Sequence, residues 1–129
     1  MMRSLAMAGL VAVLSGCNAV MLGNVVTGCA MRPEPVLMPE ELPAARAGEP
    51  YEVRLDVINA STPISKLLVA PSQPLPDGLE LLHVRPETHG VIRGVPIRPG
   101  RYEVRVYGNT FGTQCTGQDL ERLYRLEVR

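Results

Sequence analysis

Two histidines, one lysine and one phenylalanine are all that the 129 residues hold of those types, and thirteen basic side chains are balanced by thirteen acidic ones. Each scarcity closes a class of function. A net charge of zero gives no electrostatic case for binding nucleic acid or anionic headgroups. His83 and His89 are the only imidazoles, and a metal site needs further ligands at suitable spacing. Glu87 beside His89 is too little, so neither a metal nor another cofactor is expected. Ser61, Ser65 and Ser72 lie in proline-flanked segments with no nucleophile elbow, base or orienting group. No catalytic residue is assigned, and the chain is not read as an enzyme. No helix is indicated, so nothing is present for a phosphate-binding loop to open. No internal repeat is visible, which leaves one module.

What the chain does hold is turn chemistry and alternation. Proline and glycine number twelve each, and every proline falls between Pro33 and Pro99, a distribution that suits short strands and excludes long helices there. Tyr51, Val53, Leu55 and Val57 alternate with Glu52, Arg54 and Asp56, the period of a half-buried strand. Tyr102, Val104 and Val106 alternate with Glu103 and Arg105, and Tyr124, Leu126 and Val128 with Arg125 and Glu127. Ile64 to Ala70, between Pro63 and Pro71, reads as a short buried strand, and Leu79 to Val84 as another. Gly90 to Pro96, a turn at Pro99-Gly100 and the strand from Tyr102 predict a β-hairpin. Gly108 to Gln118 reads as a loop. Six or seven strands in about 80 residues predict an all-β, antiparallel sandwich. Such a small domain buries only about 60% of its unfolded surface, which makes a covalent staple a plausible support.

The stretch from Leu75 to Val106 resembles the Ig-like modules of bacterial surface proteins, related to the cadherin-like module of dystroglycan type. The pattern is carried by Leu75, Pro76, Gly78, Leu79 and Leu81, by Gly90, Ile92, Gly94 and Pro96, and by Gly100, Tyr102, Val104 and Val106. Gly48-Glu49-Pro50-Tyr51 looks like the family's opening, so the resemblance covers 48–129 and implies an Ig-like fold for that span. The tryptophan common in the middle of such modules is missing, and so are the acidic clusters that bind calcium in cadherin-like relatives. The resemblance therefore implies the fold without calcium.

Residues 1–17, MMRSLAMAGLVAVLSGC, have one positive charge, an apolar run and small residues before a cysteine, the layout of a secretory signal. Leu14-Ser15-Gly16-Cys17 resembles the bacterial lipobox, which implies a signal peptide over 1–16 and diacylation of Cys17. Val26-Thr27-Gly28-Cys29 also fits the lipobox, though the apolar run abuts Cys17. Asn18, not Asp, follows Cys17, and in enterobacterial sorting this implies the outer membrane facing the periplasm. With Cys17 lipidated, Cys29 and Cys115 remain as an even pair in an oxidising compartment, which suggests a disulfide. Residues 17–47 form the lipidated N-terminus and a proline-rich tether, in which Val36-Leu37-Met38 is also a candidate edge strand.

The expected function follows from these parts: a lipid-anchored envelope protein whose one module has a binding or structural role. The alternatives are an accessory subunit of a larger envelope or secretion assembly and an adhesion or glycan-binding module. Partners are the membrane, through the anchor, and an envelope protein or glycan. Phe111, with Tyr107 nearby, is the candidate contact residue, because aromatics anchor interfaces; the competing reading tucks Phe111 over the end of the core. Arginines on the last strands mix with Glu103, Glu121 and Glu127, which reads as cross-strand pairing on a solvated face.

Overall fold

A computed structural model describes residues 21–129. Cys17 and the signal segment lie outside the described residues. The chain divides into two compact units, Met1–Arg32 and Pro33–Arg129. In the first, residues 21–30 are helical, contrary to the expectation of no helix. The run holds no proline, and Pro33 stops it shortly beyond, where the ring would clash with the preceding turn. The Met31 amide donates to the Thr27 carbonyl at 3.1 Å. The Arg32 guanidinium donates to the Cys29 carbonyl at 3.2 Å, a cation at the end where carbonyls lack partners. Among the described residues, no helix is long and apolar enough to cross a membrane.

The second unit is a seven-stranded antiparallel sandwich, as predicted. Its strands are β1 (Val36–Met38), β2 (Tyr51–Ile58), β3 (Ile64–Val69), β4 (Leu79–His83), β5 (His89–Gly94), β6 (Gly100–Thr110) and β7 (Asp119–Val128). One sheet has the order β1-β2-β5-β4 and the other β3-β6-β7. Lettered A to G in chain order, that is ABED over CFG, the strand arrangement of a constant-type Ig domain. The inward side chains meet between the sheets. Leu55 and Ile92 from one, and Ile64, Val104 and Val106 from the other, have no solvent exposure. Outward positions such as Glu52, Arg54, Glu103 and Arg105 are charged, so the alternation is the reason these segments stack instead of coiling.

Three expectations are corrected. The module starts at Pro33, well before residue 48, because 33–47 is not a tether. Leu37, Leu42 and Ala45 are buried in the core, β1 pairs with β2, and Ala45 and Ala47 donate to the Glu127 and Arg129 carbonyls at 2.8 Å. The hairpin across Pro99-Gly100 does not form, because β5 and β6 lie in different sheets. The segment between them is fixed instead by neighbours distant in sequence. The Gly48 amide donates to Pro96, the Ile97 amide to Asp77, and the Pro96 side chain is fully buried. Finally, the loop before the last strand spans 111–118, since pairing with β3 and β7 extends β6 to Thr110.

Candidate interaction surface

The two flanks of the sandwich differ. On the β1/β7 flank the segment after β1 crosses from one sheet to the other and closes the edge. Two buried tyrosines hold it: Tyr51 donates to the Pro43 carbonyl and Tyr124 to the Pro39 carbonyl, both at 2.8 Å. Prolines suit this role, since they keep an acceptor while having no amide to satisfy. Burial pushes both phenols up from 10.0 to about 12, against a smaller opposing pull from Arg122 on Tyr124.

The opposite flank is open. There β3 and β4, the edge strands of the two sheets, run alongside each other without pairing. A groove of about 450 Å³ lies between them, with Leu67, Leu68, Leu81 and Leu82 as its apolar part and Lys66, His83 and Arg85 at its rim. Leu67 is buried, whereas Leu68 and Leu82 are 46% and 36% exposed. The sequence signal for this groove is a pair of doublets, Leu67-Leu68 and Leu81-Leu82. In a strand a doublet must send one apolar side chain to each face.

The outer face of β3-β6-β7 carries charges of both signs in cross-strand register. Arg105 meets Glu121 at 3.2 Å and donates to Gln73 at 2.6 Å. Glu103 is in register with Arg125, and Arg101 with Glu127. Exposed pairs of this kind contribute about 0 to 1 kcal/mol each. Tyr107 is half-buried on this face, in register with Leu68 and Glu121. Phe111 leaves β6 at the loop, 37% exposed, with its amide donating to Pro63 and its carbonyl accepting from the Thr62 hydroxyl. Four residues of extended chain, roughly 13 Å, separate the two aromatics. Tyr107 lies within β6 and Phe111 just beyond its end.

The remaining candidates divide similarly. Cys29 and Cys115 are disulfide-bonded, as the cysteine count suggested. The loop holding Cys115 is closed at its base by Thr110, a buried polar side chain whose hydroxyl accepts from the Gln118 amide at 2.8 Å. The histidines serve the β4–β5 connection. His83 bonds the Glu87 carbonyl at 2.8 Å, and His89 is 3.8 Å from the Glu87 carboxylate. Among the described residues, no three His, Cys, Asp or Glu side chains converge as a metal site would need.

Comparison with known proteins places the fold. No family model and no curated protein matches the chain. Among solved structures, the sialic acid binding region of a Streptococcus sanguinis adhesin bound to 3'sLn is similar, with a TM-score of 0.57 and 15% identity. The match covers 77% of this chain and 30% of that one. An endo-fucoidan hydrolase of glycoside hydrolase family 107 is similar at TM-score 0.56 and 18% identity, over 77% of this chain and 14% of the hydrolase. A mutant of the SrpA adhesin from Streptococcus sanguinis gives 0.50 and 9%, over 76% and 56%. The chain thus spans less than a third of the first two. At these identities the likeness concerns the β-sandwich alone.

Proposed function

We propose that this chain is a lipid-anchored binding module of the bacterial cell envelope, of the dystroglycan-type cadherin-like kind. The observation that carries the binding role is the asymmetry of the sandwich. One flank is sealed by 39–47, whereas the other keeps two strand edges and an apolar groove open to solvent. Exposed apolar surface rimmed by polar groups marks interaction sites more often than chance. The anchor reading rests on the lipobox at Cys17. A disulfide-bonded Cys29 has no thiol to acylate, which favours Cys17 over the second lipobox-like site. Asn18 directs the mature protein to the outer membrane, where the module faces the periplasm.

Cross-linking in intact envelopes tests the binding role. The wild-type chain is expected to yield a defined partner that a Leu68→Glu/Leu82→Glu variant, still folded by circular dichroism, no longer yields. Identical cross-link patterns for the two would remove the groove from the reading. An adhesion role toward sugars is the second reading, favoured by the likeness to the 3'sLn-bound adhesin. Saturable binding of 3'sLn to the protein in a calorimetric titration would select it.

A further inference from the structure

The two open edges are not equivalent. β3 is guarded as edge strands usually are. Its register shifts between Ile64 and Lys66, the exposed Lys66 lies in its middle, and Pro63 and Pro71 bracket it. β4 is guarded less: Pro76 and Pro86 stand three residues beyond its ends, and its one carboxylate, Glu80, meets Arg93 at 3.6 Å. Leu79 to His83 pairs with β5 without a register shift, from Leu79↔Gly94 to His83↔Gly90, and contains no proline, lysine or arginine.

Its free backbone groups can be assigned. The Val95 amide donates to the Gly78 carbonyl at 3.1 Å. Antiparallel alternation then aims the Glu80 and Leu82 backbone at β5, and the Leu79, Leu81 and His83 backbone outward. The Leu79 amide is taken by the Pro76 carbonyl at 3.2 Å. Among the described residues, no turn or side chain takes the amides of Leu81 and His83. Beside them the groove is apolar and its rim holds Lys66, His83 and Arg85, while Glu80, 3.6 Å from Arg93, lines the adjoining stretch toward Leu79. Neither Lys66 nor Arg85 makes an ion pair among the described residues.

We propose that the free edge of β4 accepts an extended segment of a partner polypeptide as an added strand, its apolar side chains alternating with carboxylates. The inference rests on the binding role proposed above and names the partner's chemistry. Main-chain bonds to Leu81 and His83 would hold the segment, alternate apolar side chains would enter the groove, and the acidic ones would face Lys66 and Arg85. The unsatisfied basic rim selects acidic segments and adds a salt-dependent attraction.

The test titrates the full chain in detergent with a capped nine-residue peptide alternating valine and glutamate. Saturable binding is expected. His83→Pro, which deletes an outward amide, should weaken it about tenfold or more, as should the Lys66→Glu/Arg85→Glu pair. His83→Ala, which keeps the amide, should not. N-methylating alternate peptide amides should abolish binding even where His83→Pro fails to fold. Equal affinity for the His83→Pro and His83→Ala proteins would overturn strand addition, as would unchanged binding of the N-methylated peptide. Dimers of the chain itself that His83→Pro dissolves would overturn the partner and give the edge to a second copy. A peptide that does not bind sinks this inference alone, because the envelope cross-links decide the binding role independently.

Discussion

Tyr102 shows how much one hydroxyl can position. It donates to the Arg98 carbonyl at 2.9 Å, four residues upstream at the start of β6, which is the tyrosine corner of Ig-type sandwiches. Gly100 permits the turn into that ring through its φ of 155°, which side-chain-bearing residues rarely adopt. Tyr102→Phe is therefore expected to lower stability by about 1 kcal/mol, through loss of a hydrogen bond, and Tyr107→Phe by less than about 0.5. Urea midpoints compare them. Tyr51 and Tyr124 carry a pH dependence as well. Burial raises both to about 12, so the folded state keeps protons that the unfolded state releases near 10. Their contribution is complete below about pH 10 and is lost as pH rises toward about 12. The Tyr51→Phe and Tyr124→Phe proteins should each start about 1 to 3 kcal/mol less stable, with a Pro43 or Pro39 carbonyl unpartnered, and show a shallower alkaline decline.

At the level of elements, the segment 33–47 is the test of where the module begins. It supplies β1, the buried Leu37, Leu42 and Ala45, and the carbonyls that both buried phenols require. Removing residues up to 32 should preserve a cooperative melt, whereas removal up to 47 should abolish it, because losing a single buried Leu already costs about 2 to 5 kcal/mol. The crossover between β5 and β6 depends on two glycines in close contact. A Cβ on Gly94 would strike the Gly78 carbonyl oxygen, and one on Gly78 the Val95 carbonyl oxygen. The spacing of the family-like motif thus has a backbone cause. Gly100→Val should cost more than about 1 kcal/mol and Arg101→Gln less than about 0.5 in thermal unfolding. Arg105, which the alternation alone marks as a neutral exposed control, is tied to Gln73 and Glu121 and is not one.

For the whole molecule, the disulfide and the proposed lipid anchor make separate predictions. Cross-linking positions 29 and 115 closes a loop of about 87 residues and, in the chain-entropy model, stabilises by roughly 4 to 5 kcal/mol through the unfolded chain. Reduction should lower the melting temperature and leave the β-type circular dichroism at room temperature unchanged, since the buried cluster of the sandwich contains no cysteine. Loss of the β signal on reduction would show that the core cannot close by itself. Cys17→Ser should remove acyl mass from the N-terminus and release the protein from detergent-phase extraction, because two or three chains anchor stably where one does not.

What the sequence by itself determined was local. Alternation at Tyr51–Val57, Tyr102–Val106 and Tyr124–Val128 placed three strands and their buried faces, since the two sides of a strand are distinguished every second residue. The cysteine count marked the pair 29 and 115, because setting Cys17 aside as the expected lipidation site leaves an even pair. Partnership was decided by the tertiary structure. Whether the strand after Pro99-Gly100 folds back on β5 or crosses to the other sheet depends on Asp77 and Gly48, far off in the chain. Whether 33–47 is tether or wall depends on Tyr51 and Tyr124 reaching its carbonyls. The groove exists because β3 and β4, ten residues apart and in different sheets, finish on the same flank. No periodicity within either strand records that neighbour, because alternation encodes which face is buried and is silent on what buries it.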